Sequence, residues 1–134
     1  MLKQSVKDKL EQLKLKGFLR SAESSLDQML AQGTSFEDFL DFCLESELND
    51  RTNRRIERLF SIAKLRYPTA RLEHIDYASE RKLKKADIAR YANCEWINDC
   101  RGLIISGATG VGKSWLGCAL GAEACHRSYS VMYF

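Results

Sequence analysis

Gly107-Ala108-Thr109-Gly110-Val111-Gly112-Lys113-Ser114 fits the spacing G-x-x-x-x-G-K-[ST], the pattern of a phosphate-cradling P-loop. Its flanks decide the predicted fold. Gly102-Leu103-Ile104-Ile105-Ser106 before it is short, apolar and partly β-branched, and reads as a buried strand. Trp115 to Cys125 after it is small and apolar enough for a helix packed on a sheet, and Ser130-Val131-Met132-Tyr133-Phe134 reads as a second strand. The predicted fold class is therefore α/β, with strand, P-loop, helix and strand opening a parallel sheet behind a helical N-terminal domain. The predicted division is residues 1–68 for the helical domain and residues 69–134 for a linker and the P-loop part.

The letters of the loop follow from phosphate chemistry. Gly107, Gly110 and Gly112 allow conformations that a Cβ forbids and leave room for oxygens to reach backbone amides. A helix starting near Lys113 points unpaired N–H groups and its positive dipole end at the anion. The Lys113 ammonium neutralises β and γ oxygens, and the Ser114 hydroxyl is placed to hold Mg²⁺. The expected nucleotide-binding set is Gly107, Ala108, Thr109, Gly110, Val111, Gly112, Lys113 and Ser114, with ATP and Mg²⁺ as cofactors.

At 134 residues, 45% hydrophobic and 29% charged, the composition is that of an ordinary globular chain. A net charge of +3 does not by itself mark a nucleic-acid binder. No run of 18 apolar residues is present, so no membrane span is expected, and the N-terminus lacks the apolar core of a secretory signal. The five cysteines (Cys43, Cys94, Cys100, Cys118, Cys125) form no C-x-x-C pair and read as buried free thiols of a cytoplasmic protein. His74 and His126 stand alone and read as ordinary surface or partly buried histidines.

From the N-terminus, Leu2, Val6, Leu10 and Leu13 recur at helical spacing, and Gly17 is predicted to interrupt that helix. Phe18 to Gln32 resumes it, with Gly33 as the C′ glycine. Thr34 and Glu37 have capping-box spacing and open a helix of about 30 residues that Pro68 closes. Its charges are segregated: residues 35–50 carry six acidic and no basic side chains, and residues 51–66 carry six basic against Glu57. The macrodipole explains part of this pattern. The functional reading is contact with nucleic-acid phosphates or an acidic partner, with Arg51, Arg54, Arg55 and Arg58 as the candidate DNA contacts. A second basic helix is predicted over residues 79–91.

Ser35-Phe36-Glu37-Asp38-Phe39-Leu40, Asn53-Arg54-Arg55, Ala63-Lys64-Leu65-Arg66, Leu72-Glu73-His74-Ile75-Asp76-Tyr77 and Trp96-Ile97, together with the loop, carry a resemblance. From about Leu15 onward the chain resembles the IstB-like ATP-binding proteins, helper ATPases of insertion-sequence transposition related to the DnaC helicase loaders within the AAA+ superfamily. The resemblance implies an ATP-dependent DNA-binding protein that delivers target DNA to a transposase and, in its full-length form, assembles as a homo-oligomer. It also implies that residues 75–77 approach the adenine.

An AAA+ core further needs an acidic pair on a third strand, a polar sensor and a neighbour's arginine. The resemblance places all of these beyond Phe134, so the chain is expected to be either a fragment of a longer protein or the product of a shortened gene, with no catalytic residue of its own. Two other readings stand beside this one: a DnaC-like helicase loader, or a non-enzymatic partner-binding module with a remnant P-loop.

Overall fold

A computed structural model describes residues 1–77 and 82–134. The helices are α1 (Gln4–Gln12), α2 (Lys16–Ala31), α3 (Phe36–Ala63), α4 (Lys85–Ala92), α5 (Glu95–Asn98) and α6 (Lys113–His126), with a 3₁₀ turn over Leu72–His74. The chain divides into two compact units, Met1–Arg54 and Arg55–Phe134, and the division falls within α3. No described helix is long and apolar enough to cross a membrane.

In the first unit the chain turns out of α1 at Lys14, in the left-handed region at φ 58°, rather than at Gly17. Leu15 N–H donates to Leu10 O and Lys14 N–H to Glu11 O, which closes the helix with a Schellman pair. Gly17 instead lies inside α2 and is buried. A Cβ there would sit 2.9 Å from both Asp50 Cβ and Ser46 O, so the glycine is needed for close approach to α3. The end of α2 follows the sequence reading. Gly33 takes φ +71°, and Thr34 N–H donates to Met29 O while Gly33 N–H donates to Leu30 O. The N-cap of α3 is displaced by one residue from the predicted Thr34. Ser35 Oγ accepts the Asp38 N–H at 3.1 Å and donates to Asp38 Oδ2 at 2.7 Å.

Glu47 is the buried charged residue of this unit, at 4% exposure. Its Oε2 accepts the N–H groups of Gly17 at 2.7 Å and Phe18 at 3.1 Å, two of the otherwise unpaired donors at the start of α2. Its Oε1 accepts from Arg51 Nε at 2.7 Å. Burial works against this carboxylate, but the hydrogen bonds from Arg51, Phe18 and Gly17 and the charge of Arg51 outweigh it, holding its pKa below the ordinary value. Beside it, Asp50 pairs with Arg20 at 3.0 Å and Arg54 at 2.5 Å. The hydrogen bond from Arg20, with further help from Arg54, lowers its pKa as well.

In the second unit, α6 carries most of the core. Cys118, Ala119, Leu120, Ala122, Ala124 and Cys125 are all buried, as an almost wholly apolar helix requires. Leu59, Ala63 and Cys125 form one cluster, with Phe60, Leu65 and Val131 packed against it. Ala70, Cys118 and Ala119 form another, with Leu72, Trp115 and Tyr133 around it. The ring of Phe60 meets His126 edge-on at 5.1 Å, and the Arg71 guanidinium lies 5.0 Å from the Phe60 centroid.

The expected α/β sheet is not present: no described residue is in a strand. A strand exists only through a ladder of backbone bonds to a neighbour, and these two runs make none with each other. Tyr133 N–H donates instead to Ala63 O at the end of α3, at 2.9 Å. Nor are the runs buried: Ile104 is 92% exposed and Phe134 98%. The described fold is helical, with irregular segments at 101–112 and 127–134. The predicted helix over 79–91 begins later, at Lys85, and residues 79–81 of that prediction lie outside the described residues.

Candidate functional site

The glycine-rich loop owes its path to two residues. Gly110 at φ +81° and Gly112 at φ +96° occupy the left-handed region, where a side chain is strained. At Gly107 an added Cβ would lie 3.2 Å from Val111 Cγ2, so the loop curls back onto its own start. Gly112 is the N-cap of α6 and offers no side chain to the first turn. Leu116 N–H is bonded to Gly112 O at 2.9 Å, whereas the amides ahead of it have no intrahelical acceptor. Lys113 Nζ donates to Gly107 O at 2.5 Å and so ties the two ends of the loop together. Unpaired amides, a helix N-terminus and an ammonium thus converge on one small region, an arrangement suited to an anion.

A cavity of about 970 Å³ adjoins this loop. Gly107, Ala108, Gly110, Val111, Gly112 and Lys113 line it, together with Ile105 and Ser106. Thr109 and Ser114, the other two predicted site residues, are exposed and are not among its lining. The remaining wall comes from Tyr67, His74, Ile75, Asp76, Lys82, Leu83, Trp115 and Leu116. Packing explains how these sequence-distant residues meet. Leu72 and Trp115 both pack on the Ala70, Cys118 and Ala119 cluster, which fixes the 3₁₀ turn and the start of α6 in one layer. Residues 74–76 then follow directly into the cavity wall.

Sequence reasoning expected a role for residues 75–77. Ile75 and Asp76 line the cavity and Tyr77 does not. It missed Tyr67, His74 and Trp115. Trp115 had a local signal, its position next to Ser114. Tyr67 had none, because only the chain reversal at Pro68 to Ala70 brings it near. Among the described residues, Lys82, Lys113, Asp76 and His74 all line this cavity. The size suits a drug-sized or nucleotide-sized ligand.

The four arginines expected to contact DNA are differently disposed. Arg51 donates to Glu47 at 2.7 Å and Arg54 to Asp50 at 2.5 Å, so two of the four charges are matched by neighbouring carboxylates. Arg55 Nη2 donates to Ser128 O at 3.4 Å, a long contact that leaves its charge unneutralised. Arg58 is exposed and makes no ion pair among the described residues. Of the cysteines, Cys43, Cys94, Cys118 and Cys125 are buried and Cys100 is exposed, all as free thiols. Burial pushes the thiols of Cys43, Cys94 and Cys125 up from their ordinary pKa.

Comparison with known proteins matches residues 8–134 to the IstB-like ATP binding protein family. The chain is 39% identical over 133 residues to a Pseudomonas fluorescens protein named as an ATP-binding protein of insertion sequence IS1162, covering 99% of this chain and 58% of that protein. It is 35% identical to the insertion-sequence ATP-binding protein y4pL of Sinorhizobium fredii, covering 99% of this chain and 54% of that protein. It is 27% identical over 124 residues to a Pseudomonas aeruginosa protein named as an ATP-binding protein of insertion sequence IS21, covering 92% of this chain and 46% of that protein. The chain thus spans about half the length of the curated relatives it matches. With a family match over nearly every residue, the chain belongs to the IstB-like ATP-binding proteins.

Proposed function

We infer that this chain binds ATP with Mg²⁺ through the P-loop Gly107–Ser114, and that it belongs to a DNA-associated helper that delivers target DNA to a transposase in insertion-sequence transposition. The observation that carries the binding half is the cavity itself. Its lining includes loop glycines, an uncapped helix start and Lys113 as well as Tyr67, Ile75, Trp115 and Leu116. That pairing of a cationic, amide-rich part with an apolar, aromatic part matches a ligand with polyphosphate at one end and a base at the other.

In this reading Lys113 exchanges its carbonyl partner on Gly107 for phosphate oxygens. The first-turn amides of α6 and the loop amides donate to the remaining phosphate oxygens, and Tyr67, Ile75 and Trp115 exclude water from the base. The Ser114 hydroxyl would hold the Mg²⁺, which would neutralise phosphate charge. We assign no catalytic residue within residues 1–134, so the proposed role of this region is binding. We retain the division into a helical, partner-facing part over residues 1–68 and a nucleotide-facing part over 69–134. Assembly into a homo-oligomer on DNA belongs to the same proposal. Arg58 and Arg55 lead the proposed DNA contacts, with Arg51 and Arg54 following only if their carboxylate partners release them.

Thermal melting with and without ATP and Mg²⁺ tests the nucleotide half. Ligand at 100 times its Kd stabilises by about 2.7 kcal/mol, so a clear rise in Tm is expected. Lys113→Ala removes a charge-assisted bond worth about 1.5–3 kcal/mol, or roughly 10- to 100-fold in affinity. A melting curve that ATP leaves flat in the parent chain sinks the reading. For the DNA half, Arg58→Glu should weaken duplex binding for every sequence alike and reduce its salt dependence. Unchanged affinity would return Arg58 to a solvated helix face.

A further inference from the structure

Along the first half of α3 two ridges run side by side. Phe36, Leu40, Leu44 and Leu48 form one row of every fourth residue; Leu40 is partly buried and the other three are 75%, 46% and 61% exposed. Glu37, Asp41 and Glu45 form the adjacent row and are all exposed. Rows at this repeat form neighbouring ridges on a helix surface, here extending ~18 Å. None of the three acids makes an ion pair or side-chain hydrogen bond among the described residues. The contrast lies within the same unit, where Glu47 and Asp50 are matched by Arg51, Arg20 and Arg54.

Exposed apolar side chains aligned on one ridge of a folded chain mark an interaction surface. The acidic row beside them selects the partner by charge. Nucleic acid is repelled by it. A second copy docking through the same face would set carboxylate against carboxylate. A cationic helix with an apolar row at the same repeat fits both ridges at once, because its leucine-like side chains fill the groove while its lysines or arginines meet the acids. We propose that this face of α3 docks a basic amphipathic helix of a partner protein. The surface is separate from the nucleotide cavity and does not rest on the proposed ATP binding.

The test uses the full chain and two labelled helical peptides of ~16 residues with leucines at i, i+4 spacing, one with a lysine row beside them and one with a glutamate row. The lysine peptide is expected to bind at least ~10-fold more tightly than the glutamate peptide, with an affinity that falls with salt. The triple variant Glu37→Lys, Asp41→Lys, Glu45→Lys should invert that preference, a gain that misfolding does not produce. Leu44→Ser with Leu48→Ser should weaken the lysine peptide by ~10-fold while the melting curve and helix content stay near those of the parent. Lys113→Ala should leave peptide binding unchanged. The proposal is overturned if the triple variant keeps the parent's preference, if the double leucine variant binds the lysine peptide as tightly as the parent, or if that variant loses duplex DNA instead.

Discussion

Gly17 in the first unit and Gly121 in the second both lie within helices that touch a neighbour, yet they do different work. A Cβ at Gly17 would meet backbone, Ser46 O at 2.9 Å and Glu47 Cα at 3.0 Å. At Gly121 it would meet side-chain tips, Leu65 Cδ2 at 3.2 Å and Val131 Cγ1 at 3.3 Å. The first unit is held by a close helix approach and a buried carboxylate that bonds backbone amides. The second is held by small apolar side chains and thiols packed along α6. A contact built on polar geometry tolerates little displacement, whereas one built on apolar packing can shift by a few tenths of an ångström.

The largest expected effect is at Glu47. Glu47→Ala leaves the Gly17 and Phe18 amides without their acceptor and Arg51 without its partner, and should destabilise the first unit by about 3 kcal/mol in chemical denaturation. A loss under about 1 kcal/mol would show that water replaces the carboxylate and would remove the polar half of the contrast.

Gly17→Ala comes next, at about 2 kcal/mol, because the clash is with backbone that cannot rotate away. Acid should act on the same unit. Glu47 and Asp50 both have folded pKa values held below ordinary, so their stabilisation is present above the unfolded carboxylate range near pH 4 and is lost as pH falls through the folded values. The protection of the Gly17 and Phe18 amides against exchange, relative to the unfolded chain, should therefore be lost in acid before that of α6 is. Simultaneous loss would break the comparison.

The smallest stability effect is Gly121→Ala. Its helix-propensity gain of up to about 1 kcal/mol offsets the crowding of Leu65 and Val131, so the net change should stay within about 1 kcal/mol. Labelling with a thiol reagent sharpens the picture of the α6 core without perturbing it. Cys100 should react first, and Cys118 and Cys125 only upon opening of the second unit.

The helices were largely legible in advance. Apolar spacing marked the stretch that becomes α3, Gly33 announced the end of α2, and the small apolar run after Ser114 marked α6. Each of these signals is local, set by a 3.6-residue period or by the φ a single position needs. Gly17 was misread for the same reason. A glycine near a helix start looks like a breaker until a neighbouring backbone is seen 3 Å away. The predicted strands failed because strand formation depends on a neighbour, and residues 102–106 and 130–134 contain nothing that says whether one is present. Arg51 and Arg54 looked like free cations in a basic run, although carboxylates four residues earlier neutralise them, an i,i+4 pairing visible in principle from the sequence.

By itself the sequence determined the loop Gly107 to Ser114, the placement of its glycines and lysine, and the family to which the chain belongs. These depend on which residue stands at which position, and glycine φ preference and phosphate chemistry act over a few residues. Only the tertiary structure decided that no sheet forms among the described residues, that Tyr67, His74 and Trp115 share the loop's cavity, and that Glu47 is buried against the start of α2. Those outcomes depend on residues tens of positions apart meeting in space, where burial and hydrogen-bond partners are set by packing and not by the local chain.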